Sequence, residues 1–268
     1  MERRDFDYYE ANAADISLEK ITSSEKNAKI LRRLRDGDDN LTVFTLGSDS
    51  DGWVQFRISK GDDLGWLGYF IGRSVKLQQL DIRELPADEG RQQIDAFFDG
   101  LARNQSIRRI YSYQLGDCGS TALFRVLANL SQLEELSYSG SNLTRNGCFA
   151  LGTLLESGVW KSLKELHFYT NNIGDDGVAS LASGLRSIGP FLKTLGLSNN
   201  SIGNEGLLAL VTALESCTSL EELDLSNNEF SLATAGLRSL SDWLQSNQMD
   251  LKQLDLKVVV LMMKDCRL

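Results

Sequence analysis

The sequence predicts an α/β solenoid, built from strand–turn–helix units stacked in register. Two observations carry this: an aliphatic triplet that recurs at near-constant intervals, and a switch within each unit from period two to period 3.6. The clearest copies are Leu163-Leu166-Phe168-Asn171-Ile173, Leu192-Leu195-Leu197-Asn200-Ile202 and Leu220-Leu223-Leu225-Asn228-Phe230. Gly177 or Gly206 follows the first two, and then leucines at helical spacing, Leu181 and Leu185 or Leu210 and Leu214. Each unit therefore reads as a short parallel strand, a turn and a helix.

Weaker copies flank these. Leu77-Leu80-Ile82 opens the array, Leu133-Leu136-Tyr138 keeps the strand with Ser141 in place of the asparagine, and Leu251-Leu254-Leu256 closes it. Between Ile107 and Leu115 the pattern is irregular and needs a deletion of about two residues to stay in phase. Starts at 77, 107, 133, 163, 192, 220 and 251 are separated by 30, 26, 30, 29, 28 and 31 residues. Units of that length have room for a full helix, which implies a horseshoe with strands inside and helices outside.

The run Leu192-Lys193-Thr194-Leu195-Gly196-Leu197-Ser198-Asn199-Asn200-Ser201-Ile202-Gly203-Asn204-Glu205-Gly206 resembles a ribonuclease-inhibitor-like leucine-rich repeat almost position for position, and the likeness covers residues 74–256. The resemblance implies a right-handed leucine-rich repeat solenoid used chiefly to bind proteins. Stacked leucines form one apolar column that each unit completes for its neighbour. The asparagine sits where the chain leaves the strand, and its amide can satisfy turn groups that no ladder reaches. Asn200→Ala is expected to cost about 1–3 kcal/mol, seen as a lower urea midpoint. Gly177 and Gly206 are expected to allow a positive φ or a close approach before the helix.

Four segments are expected along the chain. Residues 1–20 are polar without sustained periodicity and read as a loosely ordered leader. Residues 21–73 would cap the array: a capping box at Thr22-Ser23-Ser24-Glu25, a helix with Ile30, Leu31 and Leu34 on its apolar face, a stop at Asp36-Gly37-Asp38-Asp39, a degenerate strand Leu41–Leu46, an extra strand Trp53–Ile58 and a helix Leu64–Ile71. The repeats fill 74–256. Residues 257–268 read as an atypical or truncated end, because Val258–Met263 replaces the expected turn with an apolar, β-prone run.

Composition narrows the function. With 28 basic and 37 acidic side chains the net charge is -9, which disfavours nucleic acid and anionic membrane, since both reward excess Lys and Arg. The start has no apolar signal region and no run is long enough to span a bilayer, so a soluble, cytoplasmic and monomeric protein is expected. Cys118, Cys148, Cys217 and Cys266 form no CxxC pair, and free thiols in a reducing compartment are expected. His167 is the sole histidine, so any mechanism needing an imidazole must pass through it. No GxxxxGK[ST] loop is present, and no catalytic, metal or cofactor residue is assigned.

Side chains that alternate with the core residues project from the inner, concave face. They are Gln79, Asp81 and Arg83; Arg109, Tyr111 and Tyr113; Glu135, Ser137 and Ser139; Glu165, His167 and Tyr169; Thr194, Gly196 and Ser198; Glu222, Asp224 and Ser226; Gln253, Asp255 and Lys257. Tyr and Arg are enriched at binding hot spots because they join large contact area to directional polar groups. Arg109, Tyr111, Tyr113, His167 and Tyr169 form the leading patch, and Arg83, Glu135, Glu165, Glu222 and Asp224 complete the candidate partner-binding residues. A solvated inner face would carry similar side chains, and a one-residue slip would exchange Tyr111 and Tyr113 for Ile110 and Ser112. Glu135 and Glu165 as an acid–base pair would need a water-excluding site that an open face does not offer. The basic helix face Lys29, Arg32, Arg33 and Arg35 reads as solvated.

The function expected is therefore a protein-interaction module whose concave strands hold a partner protein. Two alternatives remain at this level. One is regulation of a small GTPase, since Ran-activating proteins are built from similar repeats, although their acidic tail is missing here. The other is a recognition fragment of a larger sensor or ubiquitin-ligase assembly.

Overall fold

The structure, a computed structural model, describes residues 4–47, 55–59, 63–85, 91–231, 235–246 and 251–257. The chain divides into two compact units: Met1–Ser141 with Val159–Leu163, and Asn142–Gly158 with Lys164–Leu268.

In the first unit the helices are α1 (Phe6–Asn12), α2 (Glu25–Arg35), α3 (Leu64–Arg73), α4 (Arg91–Leu101) and α5 (Gly116–Leu127). Its strands are β1 (Val43–Leu46), β2 (Gln55–Phe56), β3 (Gln79–Ile82), β4 (Arg109–Tyr113) and β5 (Glu135–Ser139), in the order β2-β1-β3-β4-β5. All pairings are parallel. Leu77, Leu80, Ile82, Ile107, Ile110, Leu133, Leu136 and Tyr138 are buried between strands and helices. Each is worth about 1.5–3 kcal/mol of transfer free energy, which fixes the register because a one-residue slip would turn them to water.

The second unit holds α6 (Arg145–Glu156), α7 (Gly174–Ile188), α8 (Asn204–Leu214) and α9 (Ala235–Ser246), with β6 (Glu165–His167), β7 (Thr194–Gly196), β8 (Glu222–Asp224) and β9 (Gln253–Asp255) in sequence order and parallel. Leu166, Phe168, Leu192, Leu195, Leu197, Leu220, Leu223 and Leu225 form its buried column. On the outer edge Glu221 takes Lys193 and Lys252, each at 2.6 Å, and these hydrogen bonds hold its carboxyl down at about 2.

The motif asparagines do what the turn requires. Asn200 is fully buried and its Nδ2 donates to the carbonyls of Phe168 (2.6 Å), Leu197 (3.0 Å) and Ser198 (3.0 Å). Asn228 repeats this toward Leu197 and Leu225, and its Oδ1 also accepts the amides of Asn200 and Ile202 at 3.0 and 3.1 Å. Gly177 and Gly206 lie inside the first turns of α7 and α8 without a positive φ; the close approach is what they serve. A Cβ at Gly206 would stand 2.4 Å from Asp175 Oδ1, and one at Gly177 2.7 Å from Ile173 Cγ2.

The N-terminal expectations need three corrections. Residues 6–12 are not a loose leader but helix α1, whose Tyr9 is buried edge-on against Trp66, 5.0 Å between centroids. A niche at Gly65 admits the Tyr9 ring, and Arg4 pairs with Asp63 at 2.9 Å. The cap of α2 is Ser24, which accepts the amide of Asn27, while Thr22 Oγ1 accepts the amide of Ser24 instead of opening a capping box. The extra strand is shorter than expected, Gln55–Phe56; Trp53 and Val54 lie outside the described residues, as does the apolar run Val258–Met263.

Cys148 and Cys217 are free and buried, and burial pushes their thiols up to about 12 and about 11. Both stay protonated at pH 8, and the thiolate is the nucleophile. Iodoacetamide at that pH should leave them unmodified in the native chain and label them only after denaturant is added, read by peptide mass spectrometry.

Candidate functional strand faces

Alternation along the strands decides which side chains reach the face opposite the helices. In β4, Ile110 and Ser112 are buried whereas Arg109, Tyr111 and Tyr113 are half-buried, so the irregular repeat keeps its register. Arg109 is the lateral neighbour of Gln79 in β3 and of Glu135 in β5, and Tyr111 stands between Asp81 and Ser137. Parallel pairing thus brings residues from three repeats into one face.

Polar contacts fix this group in the first unit. Tyr111 Oη donates to Glu135 Oε2 at 2.7 Å, and burial together with that carboxylate raises the phenol well above its ordinary range. Gln79 Nε2 donates to Asp81 Oδ1 at 3.1 Å, and its Oε1 accepts Arg109 Nε at 3.2 Å. Arg83 lies over the Tyr113 ring, 5.4 Å to its centroid, and 3.7 Å from Asp81. Asp81 itself is only 3% exposed, so it anchors the face rather than presenting to a partner. What remains on offer is two tyrosines and two guanidinium groups held by these contacts.

The second unit carries the other five candidates. His167 Nδ1 and Tyr169 Oη are 2.9 Å apart, and their rings are tilted with centroids 5.4 Å apart. Glu165 approaches His167 Nε2 at 3.7 Å. Glu222 is exposed, and Asp224 is held by the amide and hydroxyl of Ser226 at 2.9 and 2.7 Å. A cleft of about 70 Å³ runs beside them, lined by Tyr169, Thr194, Glu222, Asp224, Gln253 and Asp255 among others. The leading patch of the sequence reading is therefore spread over both units: Arg109, Tyr111 and Tyr113 lie in the first, His167 and Tyr169 in the second.

Sequence reasoning missed the part that three residues play. Asp81 and Gln79 were assigned to the face without their anchoring role, which depends on neighbours one repeat away. Gly196 enters the sequence reading only as a member of the face, yet a glycine in a strand is itself a signal of close approach: at the end of β7, its Cβ would stand 2.5 Å from Cε1, Cζ and Oη of Tyr169.

Among the described residues no helix is long and apolar enough to cross a membrane. The leucine rich repeat family model matches residues 161–182, 190–211 and 216–241, in phase with the strands above. The ribonuclease inhibitor of Sus scrofa is 35% identical over 157 residues, 59% of this chain and 33% of its own length. The human NACHT, LRR and PYD domains-containing protein 7 is 35% identical over 164 residues, 60% of this chain and 16% of its own. The NACHT, LRR and PYD domains-containing protein 14 of Mus musculus is 34% identical over 275 residues, 98% of this chain and 27% of its own. The chain spans a third or less of the length of these relatives. Repeat spacing, strand order, asparagine chemistry and these likenesses agree: the chain is a leucine-rich repeat protein of the ribonuclease-inhibitor-like type.

Proposed function

We propose that the chain is a non-catalytic protein-interaction module that holds a partner protein on its concave strand face. The observation that carries this is the preset Arg83, Arg109, Tyr111 and Tyr113 surface, oriented by Gln79, Asp81 and Glu135 beneath and beside it. Side chains already fixed in one geometry lose little entropy on contact, which is what a binding surface gains from preorganisation. Arg109 bonds the protein through Nε, and its terminal amino groups have no bonded partner among the described residues. They form a fork suited to a directional contact.

Arg109→Glu gives up one half-buried hydrogen bond and sets a carboxylate beside Glu135, so it is expected to cost about 1–2 kcal/mol and lower the melting temperature by roughly 2–8 °C, leaving the chain folded for the binding measurement. Quantitative affinity capture with wild-type and variant chains should show one or more proteins depleted at least tenfold on the variant. Identical capture profiles for Arg109→Glu and Tyr111→Phe would remove this patch from the contact surface.

A second reading, recognition within a larger sensor-like assembly, is supported by the likeness to NACHT, LRR and PYD proteins along 98% of the chain. It uses the same face and differs in what the captured partner triggers. Neither reading assigns a cofactor, nucleic acid or membrane, and both place the protein in the cytoplasm as a monomer.

A further inference from the structure

We propose that the strand face of the second unit carries a preformed slot for an arginine side chain of a partner protein, with Tyr169 as its platform and Gly196 as the residue that opens it. This rests on the reading of the strands as a contact face, but uses none of the first unit's residues.

The platform is built by a missing side chain. Gly196 ends β7, where its neighbours in β6 and β8 are His167 and Asp224. Any Cβ there would collide with Cε1, Cζ and Oη of Tyr169, all 2.5 Å away, so the ring lies down across the glycine instead of standing into solvent. His167 Nδ1 holds the phenol oxygen at 2.9 Å. The phenol end of the ring is therefore held from two sides, and the ring forms one wall of the 70 Å³ cleft. Counting about 30 Å³ per water, that space takes two waters or one planar head group.

The opposite walls set the chemistry. Glu222, Asp224 and Asp255 line the cleft, and none makes an ion pair among the described residues; Glu222 has no side-chain partner there at all. Asp224 and Asp255 are lateral neighbours on adjacent strands, which lie about 4.8 Å apart. Ser226 holds Asp224 and Gln253 holds the exposed Asp255, so the two carboxylates stand side by side at the cleft with their negative charge open to a cation. A guanidinium satisfies both walls together: its plane stacks on the tyrosine face while its N–H fork meets carboxylates. Ammonium has the charge without the plane or the fork. The residues thus select arginine over lysine, and either over a neutral isostere.

The test uses the full chain and a fluorescein-labelled Gly-Arg-Gly-Arg-Gly peptide, followed by anisotropy at low salt, beside versions carrying lysine or citrulline. Arginine should bind about five- to tenfold more tightly than lysine, and citrulline should not bind. Gly196→Ala has to push the held Tyr169 ring aside and Tyr169→Leu removes it, so each should weaken the arginine peptide about tenfold, with the unchanged melting temperature required of Tyr169→Leu. Asp224→Asn should do the same, while Arg109→Glu should leave this binding intact. Equal affinity for the lysine or citrulline peptide, or affinity unmoved by both Gly196→Ala and Tyr169→Leu, would overturn the slot. Because Arg109→Glu is scored separately by partner capture, loss of the slot leaves the first unit's patch standing, and the reverse.

Discussion

Asn228→Ala should destabilise the chain by about 3–5 kcal/mol, at least 1 kcal/mol more than Asn200→Ala. The two positions belong to the same motif and are equally hidden, so burial alone predicts no difference. Their oxygens separate them. Asn228 Oδ1 accepts two buried amides, those of Asn200 and Ile202, while Asn200 Oδ1 is buried without a hydrogen-bond partner. Both lose their donations to turn carbonyls on truncation, but only Asn228→Ala also strands two N–H groups of the preceding repeat. Those amides belong to the turn that leads into α8, so the loss spreads to the neighbouring unit. Urea unfolding followed by far-UV circular dichroism should show the midpoint falling further for Asn228→Ala, with m unchanged for both. Equal midpoints would mean that donation to the carbonyls accounts for the whole effect.

That ranking shows where sequence information ends. The Leu192-Leu195-Leu197 pattern is legible because an apolar residue at the wrong parity would face water, and Asn200 is legible because the turn after a strand leaves carbonyls that something must reach. Helix α1 is not legible by the same means. Its stability comes from Tyr9 entering a niche at Gly65 and from Arg4 reaching Asp63, contacts across more than fifty residues that leave no local period. The cap of α2 is ambiguous in the sequence for a related reason: Thr22, Ser23 and Ser24 all carry a hydroxyl, and the choice of Ser24 is made by where the chain enters the helix.

The candidate face divides in the same way. Alternation in β4 identifies Arg109, Tyr111 and Tyr113 directly, because Ile110 and Ser112 take the buried side. Which of them is fixed, and by what, depends on the lateral neighbours that stacking supplies. Tyr111 is tied to Glu135 from 24 residues away, and Arg109 to Gln79 from 30. A repeat length that varies between units makes such pairs hard to assign from spacing. The Tyr169 platform was the least visible feature, since it follows from an atom that Gly196 lacks.

A second large effect is expected where two helices touch backbone to backbone. In the first unit a Cβ at Gly100 in α4 would stand 2.3 Å from the carbonyl carbon of Gly68 and 2.6 Å from the amide of Tyr69, and one at Gly68 in α3 would stand 2.3 Å from the carbonyl oxygen of Phe97. None of these atoms can turn aside as the end of a side chain can, so any substituent must move a whole helix. The helices α3 and α4 also carry Trp66, Phe70, Phe97 and Phe98, all nearly or fully buried, and separating them opens gaps beside large rings. Gly100→Val should therefore cost about 3 kcal/mol or more, at the upper end of what overpacking does, and lower the melting temperature by roughly 6–12 °C. Gly158→Ala is the matched control: nothing lies within 4 Å of its Cβ, and only its φ of +69° opposes the change, so about 1 kcal/mol is expected there. If the two variants melted together, the helices would have room to give, and the close packing of α3 on α4 would not be what fixes the distance between the repeats beneath Arg83 and Arg109.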